Sequence, residues 1–313
     1  MKSIILICPY FGSLRKDFPF WKLSSMYNRD IDFLIFTDQE NIKSEGNIKI
    51  EHISFQDFKK RFENHYDFPI RLDSPYKLCD YKPSYGEVLH SYIKGHDFWG
   101  HCDLDLVFGD IRSFITDEIL DKYDRILSRG HLSIYRNTPE VNSIYRMLKT
   151  PSYKYVYSCR RGFAFDEWPG TSRYWKNNYS DRFYDELIFG GPDISSYDLR
   201  DVHWRGMGLK RTHICYEYRG GQLLCHYVED GKICSKPIIY AHFEKRRLMP
   251  TISPKDNFLI VPNKIIDTPN VMDVHFLEKH CHHHRIYWPY VRFRAKRIRV
   301  RIGNLFRSNK EKM

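Results

Sequence analysis

Two apolar runs constrain the first third of this 313-residue chain more than any other feature. Residues 3–8, Ser-Ile-Ile-Leu-Ile-Cys, form an unbroken run stopped by Pro9 and Gly12. Residues 31–36 repeat the design and end at Thr37-Asp38. Runs without polar alternation read as strands covered on both faces, the burial that a parallel sheet with helices on each side provides. Between them, residues 18–26 are amphipathic enough for a crossover helix. Residues 48–53 alternate as a third strand. Phe55, Phe58 and Phe62 lie three and four apart, which is helical spacing. Tyr85, Val88, Leu89, Tyr92 and Ile93 make a second such stripe, closed by Gly95. Residues 97–106 then read as another strand, with Phe98, Trp99, Leu104 and Leu106 as its apolar positions. Strands alternating with helices predict an α/β fold built from βαβ units. The second half differs. Residues 214–218, 222–228 and 238–240 read as short strands, with Gly220-Gly221 and Asp230-Gly231 as hairpin turns.

Composition narrows the class. Lys and Arg number 50 against 39 Asp and Glu, a net charge of +11. Residues 285–313 hold ten basic side chains and one acid, so nine of those charges lie in the tail. The body is nearly neutral, and its function is to be sought in a site instead of in its overall field. Hydrophobic residues at 42% and charged residues at 28% exclude a disordered, collagenous or coiled-coil chain as a whole. None of the eight cysteines forms a Cys-x-x-Cys pair, so reduced thiols in a reducing compartment are expected. The first apolar run is too short for a signal-peptide core, and no run approaches the ~18 apolar residues of a membrane span. A soluble or surface-bound protein is expected.

The stretch from Trp99 to Leu106 carries the chemistry. Asp103 and Asp105 are two apart, and in an extended strand they share a face. Two carboxylates at the end of a buried strand repel each other and lose hydration. A divalent cation such as Mg²⁺ or Mn²⁺ resolves both problems, although a solvated pair of loop aspartates also fits an Asp-x-Asp. Strand carboxyl ends are where α/β sheets bind ligands. Taken with Pro9-Tyr10-Phe11-Gly12, with residues 33–38 and with Cys79-Asp80-Tyr81-Lys82-Pro83-Ser84-Tyr85-Gly86, this stretch resembles a nucleotide-sugar glycosyltransferase of the GT-A fold. More narrowly, the chain resembles an uncharacterised bacterial glycosyltransferase-like family of surface-polysaccharide gene clusters, over roughly residues 4 to 245.

The resemblance implies a GT-A-like (Rossmann-like) mixed sheet flanked by helices, an irregular C-terminal half with short hairpins, and a basic C-terminal helix. Residues 1–250 would be the transferase domain, 251–284 a connecting segment and 285–313 a basic amphipathic tail. It implies Asp103 and Asp105 as ligands for Mn²⁺ or Mg²⁺, with Asp103 also at the donor and His242 as the third ligand. Tyr10 and Phe11 follow the first strand, where such enzymes place the base; a core aromatic is the other reading. Asp38 is placed to bond base or ribose, or to form a turn. Asp80 and Lys82 precede the second helical stripe, and Lys82 suits a phosphate or the donor sugar. Lys245, Arg246 and Arg247 suit phosphate or form a solvated charge run.

Asp166-Glu167, between Phe165 and Trp168-Pro169-Gly170, is the best candidate for the general base that an inverting mechanism requires, a helix-start acidic pair being the other reading: aromatic walls suit a sugar ring, and burial raises a carboxyl's affinity for protons. Asp185 and Glu186 are a second acidic pair, expected on a helix. Adjacent histidines in residues 280–284 lack the ligand spacing of zinc sites. Walker and Rossmann glycine fingerprints and a Gly-x-Ser-x-Gly elbow are absent.

The expected activity is hexosyl transfer from a nucleotide-sugar, UDP-sugars favoured, to a glycan or lipid-linked glycan in surface-polysaccharide synthesis. The tail reads as a basic amphipathic helix on an anionic membrane, placing the protein at the cytoplasmic face. A nucleic-acid-binding protein using that tail, or a non-catalytic carbohydrate-binding relative, is the alternative.

Overall fold

The computed structural model describes residues 1–168, 170–201, 203, 207–244, 246–281, 287–292, 294–295 and 298. Expectations attached to Pro169, Lys245, residues 282–284 and most of the basic tail lie outside them; residues 288–292 of the tail are helical. The chain divides into two compact units, Met1–Ile188 and Phe189–Met313.

The strands of the first unit are β1 (Ile4–Pro9), β2 (Ile31–Thr37), β3 (Ile48–His52), β4 (Phe98–Cys102), β5 (Leu106–Phe108), β6 (Arg125–Arg129), β7 (Leu132–Arg136) and β8 (Phe183–Tyr184). Seven of them form one sheet in the order β3-β2-β1-β4-β7-β6-β8. β3, β2, β1 and β4 run parallel, β7 is antiparallel to β4 and to β6, and β8 is parallel to β6. The chain is thus a mixed α/β protein, as the apolar runs predict. β1 lies between β2 and β4, and Ile4 through Cys8 are all buried, which is why this run carries no polar alternation.

Helix α1 (Phe18–Tyr27) has Pro in its first turn, where no intrahelical amide is needed, and buries Phe18, Phe20 and Trp21. Trp21 stacks on Phe18 at 5.7 Å and meets Phe33 and Phe108 edge-on. Helix α2 (Phe55–His65) is capped by Ser54, whose side chain accepts from Asp57 N, and buries Phe58 and Phe62 as their spacing requires. A ten-residue 3₁₀ segment, Pro75–Ser84, follows. The second helical stripe is broken: Tyr85–Val88 and Ile93 belong to two short helices, α3 (Tyr85–Val88) and α4 (His90–Ile93), parted at Leu89, whose φ of −108° and ψ of 23° are not helical.

The second unit is more regular than its sequence suggests. β9 (Thr212–Arg219), β10 (Gln222–Glu229), β11 (Lys232–Pro237), β13 (Met249–Pro250), β14 (Asn257–Val261) and β15 (Lys264–Ile266) form a sheet in the order β11-β10-β9-β14-β15-β13. β12 (Tyr240–His242) is the strand expected at residues 238–240, shifted two residues along. Both predicted turns are present, but the second joins β10 to β11, a strand the sequence pattern does not show, and not to residues 238–240. Gly220, Gly221, Asp230 and Gly231 all have positive φ, the geometry a two-residue turn needs. β11 carries lysines at Lys232 and Lys236, which hide a strand pattern but suit an edge.

Candidate active site

β4 ends at Cys102, and Asp103-Leu104-Asp105 form a bend before β5 begins at Leu106. The expected extended strand through both aspartates is therefore not formed, and their relation is set by the bend instead of by the strand pleat. Three contacts fix Asp103. Its N–H donates to His131 O at 3.1 Å, its carbonyl accepts from Trp21 Nε1 at 3.1 Å, and its Oδ1 accepts from Lys82 Nζ at 2.7 Å. Arg15 Nη1 lies 3.8 Å from Asp105 Oδ2, while Arg15 also donates twice to Asp17, at 2.9 and 2.7 Å.

Lys82 is buried at 5% exposure. Besides Asp103, its ammonium donates to Gly130 O at 2.6 Å and lies 3.8 Å from Asp166 Oδ2. Burial disfavours its charge, but Asp103, Cys79 and Asp166 outweigh that, and its pKa stands well above the usual lysine value. Lys82 thus joins the bend to the candidate general base. Asp166, 2% exposed, has its carboxyl pushed up to about 8, chiefly by burial; Glu167, Asp103 and Asp80 add to this, and Lys82 opposes it. Glu167 Oε1 accepts from Gly130 N at 3.2 Å. Gly130 joins this cluster without being marked by any sequence motif. A Cβ there would stand 2.4 Å from Glu167 Oε1 and 2.6 Å from Asp166 Oδ2, so any larger residue would push both carboxylates back from the β6–β7 turn. The available signal was a glycine between two apolar runs.

The raised Asp166 carboxyl makes stability depend on pH. An unfolded Asp titrates near ~3.9. Between that value and about 8 the folded chain holds a proton that the unfolded chain has released. The stabilisation is complete below the unfolded value and is lost as pH rises through the folded one. Asp166→Asn removes this dependence. Melting temperatures measured from pH 5 to 8.5 should fall more steeply in wild type than in the variant; parallel curves would contradict the assignment.

Asp80 lies two residues from Lys82 but has different partners. Its carboxylate accepts from Lys77 Nζ at 2.7 Å, from Phe163 N at 3.0 and 3.1 Å, and from Phe165 N at 3.0 Å. It is turned toward the loop leading to Asp166, not toward the Asp103 bend. Phe11 packs its ring 5.3 Å from Phe55 and 5.4 Å from Phe58, the core reading of that residue. Tyr10 donates its hydroxyl to Ser13 O at 2.9 Å. Asp38 accepts from Gly12 N at 2.9 Å, and that bond holds its carboxyl below the usual value.

Asp185 is not helical as expected: it follows β8 and accepts from Ser128 N at 3.0 Å and Ser128 Oγ at 2.7 Å. In the second unit, His242 closes β12, and its N–H donates to Gly190 O at 2.9 Å. Arg246 is buried and donates to the carbonyls of Asp193, Ser196, Tyr197 and Asp198, which makes it a clamp on that loop and not a phosphate ligand; Arg247 is exposed.

Residues 6–269 match the family model described as "Family of unknown function (DUF6625)", and the chain belongs to that family. No curated protein matches the chain. Among solved structures, it is similar to a glycosyltransferase involved in glycosylating the major capsid of PBCV-1, at 10% identity and a TM-score of 0.35, over 61% of this chain and 85% of that one. It is also similar to the glycosyltransferase GlyE of Streptococcus pneumoniae TIGR4, at 9% identity and a TM-score of 0.34, over 59% of this chain. The match spans 45% of the GlyE chain.

Proposed function

We propose that the chain is a metal-dependent glycosyltransferase of GT-A type, acting from a nucleotide-sugar donor. The observation that carries this reading is the Lys82 ammonium, buried between Asp103 and Asp166 beyond the carboxyl end of β4. Lys82 joins Asp103 of the Asp-x-Asp bend to Asp166, whose affinity for protons is raised. Asp103 and Asp105 supply hard carboxylate oxygens, the donor set Mg²⁺ and Mn²⁺ prefer, and His242 is the proposed third ligand. The cation, when bound, offsets the negative charge growing on the departing nucleoside diphosphate.

The protein's own groups do the rest. Lys82 holds one Asp103 oxygen, fixing its orientation and removing part of the repulsion between the two aspartates. Glu167 or Asp166 takes the acceptor hydroxyl proton if the reaction inverts; Asp166 can do so only in its ionised form, which grows as pH rises toward about 8. Tyr10, Asp38, Lys82 and Asp103 are proposed to touch the donor, with Phe11 and Asp80 holding the loops beside them. A UDP-sugar donor, a glycan or lipid-linked acceptor in surface-polysaccharide synthesis, and anchoring of residues 285–313 to an anionic membrane at the cytoplasmic face complete the proposal. No helix among the described residues is long and apolar enough to cross a membrane.

A thermal-shift panel of UDP-, GDP- and CMP-sugars, with and without Mn²⁺, tests it. A nucleotide-sugar with metal should raise the melting temperature by about 5 °C at a hundredfold excess over Kd. A panel without any metal-dependent shift, together with salt-sensitive retention on DNA, would instead support a nucleic-acid protein. Removal of residues 286–313 should release the protein from anionic vesicles and leave the donor shift in place.

A further inference from the structure

Three strands of the second unit align a glutamate, a histidine and a serine that glycosyl transfer does not use. His226 on β10 is 6% exposed. Its Nε2 lies 2.8 Å from Glu217 Oε2 on β9, and its Nδ1 lies 2.6 Å from Ser235 Oγ on β11. Glu217 is fully buried, and Arg219 Nε stands 2.8 Å from its other oxygen. Burial works to raise the Glu217 carboxyl, but the His226 and Arg219 hydrogen bonds outweigh it and leave the group lowered and ionised. An ionised carboxylate only accepts, so Nε2 carries the imidazole proton. Nδ1 then keeps its lone pair, and the Ser235 hydroxyl donates to it.

The strand register adds a second feature. Ile238 N donates to Leu223 O at 2.9 Å. Counting back along the β10–β11 pairing, His226 and Ser235 face each other as a non-hydrogen-bonded pair. Such pairs bring side chains closest, and they turn the backbone amides away from the partner strand. β11 is the outermost strand of its sheet, so the Ser235 N–H faces the open edge, beside its own exposed hydroxyl. A hydrogen-bonded nucleophile, an oriented base and an adjacent amide donor are the parts acyl transfer requires, and they are recognised by geometry on any fold. Ser235 lies on a strand instead of a strand-to-helix turn, which is why no elbow motif marks it.

We propose that Ser235, His226 and Glu217 form an ester-hydrolysing site for short acyl esters. Ser235 Oγ attacks the acyl carbonyl carbon while its proton passes to His226 Nδ1, and Glu217 holds the resulting imidazolium at Nε2. The Ser235 N–H stands by the developing oxyanion. The bond to the alcohol then breaks, and His226 protonates the departing oxygen. Water, giving a proton to His226, cleaves the acyl-serine, releasing a carboxylic acid and restoring the serine hydroxyl. Glu217 acts through His226 and is a positioning residue. An open sheet edge offers a shallow surface, which favours short acyl groups.

The test uses the full chain with EDTA and without nucleotide-sugar, so its outcome is separate from the transferase reading. A fluorophosphonate probe should form an adduct that peptide mass spectrometry places on Ser235. Release of p-nitrophenol from p-nitrophenyl acetate should fall at least tenfold in Ser235→Ala, a change at an exposed edge position that leaves the melting temperature in place. Absence of the Ser235 adduct in wild type, or unchanged ester hydrolysis in Ser235→Ala, overturns the proposal.

Discussion

Asp105→Ala is expected to lower Mn²⁺-dependent donor turnover by about a thousandfold or more while the protein stays folded. Removing one ligand of a cation that offsets leaving-group charge costs on the order of 4 kcal/mol in the transition state, which is a factor near 10³. Asp105 is a cleaner target than Asp103. Asp103 neutralises a buried ammonium, so its loss leaves Lys82 with Asp166 at 3.8 Å as its remaining carboxylate neighbour. An uncompensated buried charge is strongly destabilising and would mix folding with function. Asp105 instead faces Arg15, which keeps its two bonds to Asp17 when the Asp105 carboxylate is gone. Donor hydrolysis, the melting temperature and calorimetric Mn²⁺ titration should be read on the same preparation. Metal affinity and turnover should fall together with the melting temperature held. Full turnover in the variant would sink the metal proposal.

What the sequence disclosed follows from how far apart the interacting residues lie. β1 and β2 were legible because burial on both faces leaves an unbroken apolar run that no other element of that length imitates. The turns after β9 and β10 were legible because they demand residues that tolerate positive φ. The Asp-x-Asp was visible as a motif, but its geometry was not. The strand ends at Cys102; Asp103 N–H still bonds His131 O in the β4–β7 register, while its carboxylate reaches Lys82, and those partners lie 28 and 21 residues away in sequence. Asp103, Lys82 and Asp166 were each visible as candidates, but nothing local showed that they and Gly130 meet. The four come from a bend, a 3₁₀ segment, a hairpin turn and a loop, and only tertiary packing makes them neighbours. The Glu217–His226–Ser235 alignment was hidden for a similar reason: β11 did not read as a strand, so its register to β10 was not available.

Asp80 shows how much a local conformation decides. In a 3₁₀ helix side chains three apart eclipse, whereas those two apart point in different directions. Pro75–Ser84 adopts this form, so Lys77 and Asp80 pair at 2.7 Å while Lys82 leaves on another side to meet Asp103. Asp80 then has two competing roles, ligand of the donor or clamp on the loop carrying Asp166, and one substitution separates them. As a clamp, Asp80→Ala strands the Lys77 ammonium, 5% exposed, without its carboxylate, against the carbonyls of Val156 and Arg161 and the Phe163 ring. It also leaves the amides of Phe163 and Phe165 without their carboxylate acceptor. Breaking a buried pair in this way costs about 3–5 kcal/mol, or roughly 10 °C in melting temperature. Asp80→Asn keeps the volume and one acceptor oxygen and should lose less. Limited proteolysis should cut residues 159–168 faster in Asp80→Ala than in wild type, because the loop there is released from the 3₁₀ segment. If Asp80 is instead a donor ligand, the melting temperature of the free protein should hold and only the nucleotide-sugar shift should weaken. A change below about 2 °C in the free protein would therefore remove the clamp and return Asp80 to the donor site.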